Sequence, residues 1–236
     1  MGLEKYVDLD PHFPNRLLSY PIPKAITFLQ SLLEKYSTLY LSKSTDRAVA
    51  ISGLMNRIGS TLQCEQRYGV LEQFIHRTVL WSWAGLREGK IDYEDDKIPS
   101  WSWMGYEGGI RFRNTEYRNF RLYKKLRFER DRKALFTDVW ELQDCHLQKD
   151  LSVKPPETRY QIRDLSGEIR GWVMYDVGDD EGPTSELAAV VVVGCSKDDL
   201  HFLAVRWVVE GEYERLGIGV VQKGCVSLKG TDIMIV

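Results

Sequence analysis

At 236 residues, 43% hydrophobic and 28% charged, the chain has the make-up of a soluble globular protein, long enough for one large domain or two small ones. Its formal net charge of −2 excludes a global attraction to nucleic acid or to anionic membranes, so binding of either has to be local. No apolar run reaches the roughly 20 residues that cross a bilayer, which excludes a helical membrane span. No secretory leader opens the sequence, and Cys64, Cys145, Cys195 and Cys225 form no CxxC pair, so reduced thiols in an intracellular, cytoplasmic setting are expected. Met1-Gly2 begins like a myristoylation signal, but Tyr6 stands where that signal needs Ser or Thr.

Residues 1–22 carry Pro11, Pro14 and Pro21 without periodicity and read as an irregular arm. Pro23 suits a first helical turn, and Ile26, Leu29, Leu33 and Tyr36 follow at helical spacing, with Leu32 and Tyr40 beside them. After Ser42-Lys43-Ser44-Thr45, Thr45 or Asp46 is a suitable N-cap for a second helix running to about Ser60. Val49, Ala50, Ile51, Leu54, Met55 and Ile58 give that helix an apolar side, while Gly53 costs it about 1 kcal/mol relative to Ala and suggests a close packing contact. Leu71, Phe74, Ile75, Thr78, Val79 and Trp81 predict a third helix from Gly69 to about Trp83, left at Gly85 and Gly89. An acidic loop from Asp92 to Asp96 leads into Pro99-Ser100-Trp101-Ser102-Trp103, then Tyr106, the turn Glu107-Gly108-Gly109 and the alternating Ile110-Arg111-Phe112-Arg113. This pattern predicts a β-hairpin with both indoles on one face.

Residues 111–133 hold ten Lys/Arg against three acids, interleaved with Phe112, Tyr117, Phe120, Tyr123 and Phe128; the mixed periodicity fits strand pairs or a short helix equally. Strands are then expected at Asp138–Gln148, Arg159–Asp164, Glu168–Tyr175, Ala188–Cys195, His201–Val209, Tyr213–Val221 and Asp232–Val236. Polar turns such as Ser166-Gly167, Gly178–Pro183, Ser196–Asp199 and Glu210-Gly211 separate several of them. The expected class is α+β: a three-helix layer followed by an antiparallel β-rich sandwich or partly closed barrel. The expected organisation is an arm over 1–22, a helical segment over 23–90 and a β-rich segment over 91–236 packed on the helices as one unit.

Several stretches, in order, resemble the second half of fungal heterokaryon-incompatibility (HET) domain proteins. Thr45 to Leu54 (TDRAVAISGL) is similar to the family's "D-R-L-V-A-L-S-G-L/I" helix, with Asp46, Arg47, Ser52 and Gly53 as matched positions. Val79-Leu80-Trp81 resembles its "L-L-W" helix end, and Ile98 to Trp103 its "A-P-S-W-S-W-A-S" signature, with Pro99, Ser100, Trp101, Ser102 and Trp103 matched. Gly171-Trp172-Val173 fits a strand common in the family. Tyr213-Glu214-Arg215-Leu216-Gly217-Ile218-Gly219 is similar to "Y-E-R-V-G-x-G", and Ile233 to Val236 to a closing strand. The family's "Y-x-x-L-S-Y-x-W-G"-like and "W-I-D-x-L-C-I-N-Q"-like segments, in the block likened to TIR domains, have no counterpart among these residues, so NADase or death-inducing chemistry has no positions here onto which it carries over. The resemblance therefore implies a piece or truncated relative of such a protein. It implies a non-catalytic regulatory or interaction module in self/non-self recognition and programmed cell death signalling, with a protein partner: the N-terminal HET-like block or another incompatibility factor.

Each feature has a plainer reading. Trp101 and Trp103 suit a stacking platform, which makes a carbohydrate-binding module one alternative, but core burial of large indoles is the favoured reading. The basic stretch, with Arg118, Arg121, Lys124, Lys125 and Arg127 as a candidate patch, makes nucleic-acid binding a second alternative; a solvated face or an internal dock is favoured. Asp92, Glu94, Asp95 and Asp96 lack EF-hand spacing, and His12, His76, His146 and His201 show no ligand spacing with the cysteines. Cys145 and His146 would point to opposite faces of a strand. No Gly-rich phosphate loop, HExxH or GxSxG occurs, so no catalytic residue, metal or cofactor is expected.

Overall fold

The first helix, α1 (Ile22–Ser37), carries Pro23 in its opening turn and buries Ile26, Leu29 and Leu33 along one stripe. It belongs to a computed structural model that describes residues 13–39, 41–84, 89–93, 98–113, 120–130, 133–153, 158–176, 189–227 and 229–236. Most of the arm, Tyr40, Gly85, the acids at 94–96, Tyr117, Arg118 and the 178–183 loop lie outside the described residues.

Helix α2 (Arg47–Thr61) follows a 3-10 turn at Ser44–Asp46, and neither expected cap acts as one. Asp46 has helical backbone angles and makes no side-chain cap bond, so the 3-10 turn supplies the entry that a cap would otherwise provide. The packing role expected for Gly53 is also corrected. A Cβ there would meet nothing within 4 Å, because the residue lies on the exposed side of α2.

The third helix is largely replaced. Gln66–Arg67 (β1) and Val70–Leu71 (β2) pair across Tyr68-Gly69, whose φ angles of 47° and 78° suit a two-residue hairpin turn. Only Ile75–Thr78 is α-helical (α3), after a 3-10 turn at Glu72–Phe74. Trp81–Trp83 is a strand, β3, paired with Ile110–Phe112, β4. Helix α1 satisfies the free edge of β4: Ile110 N donates to Ser37 Oγ (2.9 Å) and Phe112 N to Glu34 Oε1 (2.7 Å).

The hairpin expected at Pro99–Arg113 does not form either. Ser102 N donates to Pro99 O, and Ser102 Oγ accepts from Met104 N, capping a 3-10 turn at Trp103–Gly105. A serine that caps a turn stops the strand, so the two indoles diverge. Trp101 enters the core beneath the sheet and Trp103 the core among the helices.

The remaining strands form one ten-stranded sheet, antiparallel except at a single contact. They are β5 (Phe120–Leu122), β6 (Arg127–Phe128), β7 (Leu135–Val139), β8 (Cys145–Lys149), β9 (Arg159–Asp164), β10 (Ile169–Tyr175), β11 (Ala189–Ser196), β12 (Asp199–Val209), β13 (Glu212–Gln222) and β14 (Thr231–Ile235). The main order is β5-β11-β12-β13-β10-β9-β8, with β14 parallel to β13 and leading to β7 and β6. The single strand expected over Asp138–Gln148 is two, β7 and β8, and between them Trp140 bridges to Val190 and Leu142 to Val226. The α+β class therefore holds, helices first and a sandwich-like sheet after them.

Alternation along the strands builds two cores, one on each face of the sheet. Val191, Val193, Leu203, Val205 and Ile218 face Ile75, Val79, Leu80 and Trp101, while Val190, Phe202, Ala204, Val173 and Val221 pack on the other side. A third core joins α1 and α2 to Trp81 and Trp103. Among the described residues no helix is long and apolar enough to cross a membrane.

Candidate functional site: a buried arginine seam and a cationic groove

Strand β13 slips by one residue against β12. Ala204 pairs with Gly217, but Val205 pairs with Arg215, so Leu216 is a bulge. The bulge turns Arg215 to the same face as Ile218 and sends its side chain, fully buried, towards β3. There Nη1 donates to Val79 O (2.6 Å) and Nη2 to Trp81 O. Nε and Nη2 grip both oxygens of Asp176 at 2.7 and 3.0 Å, and the guanidinium lies 3.6 Å from the centre of the Trp81 ring. Burial pushes the Asp176 carboxyl above its ordinary range, and the Arg215 charge works against that push.

Ser100 extends the same network. Its Oγ accepts from Arg215 N (2.8 Å) and donates to Val236 O, while its own N–H also reaches Val236 O. Trp81 Nε1 donates to Trp101 O (3.1 Å), and Ser102 Oγ to Tyr68 O (2.7 Å). The segments around residues 79–81, 99–103, 213–217 and 233–236 thus meet in one dry seam between helices and sheet. Trp101 and Trp103 are 0% exposed, and neither indole N–H has a partner among the described residues. A stacking platform needs an open ring face, and neither offers one. Gly69 lets Trp103 sit this close: besides its positive φ, a Cβ there would fall 2.5 Å from Trp103 Nε1.

The other matched positions serve the frame in different ways. Arg47 is buried and donates to Gly108 O (3.3 Å), while its own carbonyl accepts from Tyr36 Oη. Pro99 is buried; Tyr213 O accepts from Val236 N; Glu214 pairs with Arg206 and, at 3.6 Å, with Lys90. Gly217 has no room for a side chain, since a Cβ would come 2.1 Å from Met174 O on β10.

Of the basic patch, Arg121 and Lys124 are exposed, whereas Lys125 binds Asp138 (2.8 Å) and Asp232 (2.7 Å). Arg127 stacks over Phe136. The stretch is therefore docked in part onto the sheet's own acids.

A second, open region lies beside the helix that carries the Thr45–Leu54 match. A groove of about 580 Å³ runs along α2, where Ala48, Val49, Ser52 and Asn56 form one wall. Ile98, Met104 and Tyr68 supply further apolar surface, and Arg67, Arg130 and Lys133 bring three cations. Arg67 is fixed in place by Glu65 Oε1 (2.7 Å) and the carbonyls of Glu129 and Arg130. Lys133 Nζ lies 5.8 Å from the Tyr68 ring centre. Such a lining, apolar with a few placed charges and no acid among the described residues, suits a partner that is apolar and anionic. An adjoining cavity of about 460 Å³ shares Arg67 and Arg130 but mixes them with Glu65, Glu72 and Glu129.

One hydrogen-bonded pair has the look of catalysis: Ser196 Oγ and His201 Nε2 are 2.9 Å apart across the β11–β12 turn. Burial, helped by the Arg113 charge and opposed by Asp199, holds His201 neutral with its pKa down to about 4. Its Nδ1 has no partner among the described residues, so no third group orients the ring as a nucleophilic triad requires. His76, stacked 5.2 Å from Phe120, is likewise lowered to about 4 by burial and then Arg77. No group of three or more His, Cys, Asp or Glu gathers among the described residues. Sequence reading missed Asp176, the Ser196–His201 pair and the groove; only the Gly69 turn carried a local signal for the last.

Compared with family models, with curated proteins and with solved structures, the chain gives no match in any of the three.

Proposed function

We propose that the chain is a non-catalytic, HET-like regulatory and interaction module, acting in the cytoplasm of a fungal cell in self/non-self recognition and cell-death signalling. The observation that carries this reading is the convergence at Arg215. Segments picked out for their order along the chain, at 79–81, 99–103, 213–217 and 233–236, are bonded to one another although 134 and 136 residues separate the most distant partners. Scattered chance matches have no reason to meet in one polar network, whereas the parts of a single inherited frame do. Another matched segment, Thr45 to Leu54, borders the groove through Ala48, Val49 and Ser52 and offers the face on which a protein partner would act. In this reading the seam braces the helical layer against the sheet, and the groove does the binding.

The test is expression in a filamentous fungus with and without a separately supplied HET-type N-terminal block. Growth is expected to continue with the chain alone, and the chain is expected to co-purify with that block or another incompatibility factor. Growth arrest caused by the chain alone would overturn the reading, as would failure to recover any such factor.

A further inference from the structure

Among the described residues the β11–β12 pairing ends at Ala189–Val205. The last four residues of β12, Arg206 to Val209, pair only with Glu212 to Glu214 of β13 among the described residues. Three consecutive apolar side chains stand in solvent near the tip of this hairpin: Trp207 at 61% exposure, Val208 and Val209. A strand that ends by exposing a tryptophan and two valines burdens a monomer, and such surface marks a contact. Charge defines the contact further. Glu210 lies in the turn and Glu212 follows Gly211, while the one cation of the tip, Arg206, is engaged by Glu214. The tip is thus a large aromatic anchor flanked by carboxylates.

The groove beside α2 has the complementary character: an apolar floor at Val49, Met104 and Ile98, and cations from Arg130 and Lys133 at its rim, with no acid among the described residues that line it. No residue of the tip lines the groove of its own chain. We propose that the chain binds a second copy of itself, the β12–β13 tip of one copy seating Trp207 in the groove of the other with Glu210 facing Lys133. Apolar burial of the indole supplies the affinity and the opposed charges fix orientation. Tip and groove are different surfaces, so the contact is either exchanged reciprocally in a two-fold pair or repeated head to tail. This goes beyond the HET-like reading and does not depend on it, because it concerns purified protein alone.

Sedimentation velocity of the full chain over a concentration series tests it. The expected result is a mass that rises with concentration and falls back with added salt. Trp207→Ser, at an exposed position, is expected to weaken association by about tenfold or more while the circular dichroism spectrum is unchanged. Lys133→Glu and Glu210→Lys are each expected to remain monomeric alone, yet to pair when mixed, because one reversed groove then meets one reversed tip. A wild-type chain that stays monomeric throughout overturns the proposal. So does association that ignores Trp207→Ser, as expected if another surface mediates it, and so does a charge-reversed mixture that fails to pair.

Discussion

The seam around Arg215 and the groove around Lys133 are both polar regions between α2, the tryptophan turn and the sheet, and they are built on opposite rules. At the centre of the seam both charges are buried and paired: four donors of Arg215 reach Asp176, Val79 O and Trp81 O. In the groove the cations Arg130 and Lys133 are exposed over an apolar floor. The seam residues, Asp176 apart, lie in stretches that sequence patterns single out, and the Arg215–Asp176 pair at their centre has no surface with which to bind anything. The groove takes one wall from such a stretch, through Ala48, Val49 and Ser52, and its cations from residues that no pattern marks. The matched stretches thus hold the frame, while the charges fit for binding come from their neighbours.

The sharpest way to break this contrast is Arg215→Met. It leaves Asp176 buried without its counter-charge and two carbonyls without donors, and it should cost about 3–5 kcal/mol, read as a lower urea midpoint or as lost soluble protein. A second replacement, Asp176→Leu, should return part of that loss, because an apolar pair is tolerated where half an ion pair is not. A cost for Arg215→Met below about 1 kcal/mol would deny the seam its bracing role.

Next in size is a pH effect carried by His76 and His201. Both have folded-state pKa values of about 4, against an ordinary value near 6.5. Between those limits the unfolded chain binds more protons than the folded one, so stability rises with pH across the window. The contribution is complete above about pH 6.5 and is lost as pH falls towards 4, on the order of 1–2 kcal/mol per histidine after allowance for solvent screening. Urea midpoints measured at intervals over that window should fall accordingly, and the double change His76→Gln with His201→Gln should flatten the slope.

Two smaller effects belong to the α2 side. Gly53→Ala should stabilise by up to about 1 kcal/mol, since an added methyl meets no neighbour and the helix gains a better former. Lys133→Glu, at the groove, should change thermal stability by less than about 0.5 kcal/mol. A large loss from either change would move that side of the molecule into the frame.

Most of the sheet was legible because strands buried on one or both faces write period-two or continuous apolar runs. β9 to β14 lie within two residues of where that pattern puts them. The third helix was misread for a physical reason. Leu71, Phe74, Ile75 and Thr78 sit at helical spacing, yet Tyr68-Gly69 takes two positive φ angles and folds the chain into a hairpin first. The tryptophan motif was misread because Ser102 was counted as an outward strand residue when it caps a turn. Trp81–Trp83, with the same W-S-W spelling, does form a strand, because β4 offers it a partner. Arg215 was singled out but its role was not, since Asp176 lies 39 residues away with no spacing to announce it. Gly53 shows the reverse case: a cost visible in the sequence with no packing contact behind it.

The span of the seam also governs how the chain acquires its shape. Its decisive bonds join Ser100 to Val236 and Arg215 to Val79, each 136 positions apart, so neither forms until two distant segments have met. Closing such distances carries a large entropic cost before any contact repays it, which places this topology among slow folders. Until then Trp81 and Trp101 have no guanidinium or β14 to close over them, and the newly made helical half presents its aromatic side to the cell.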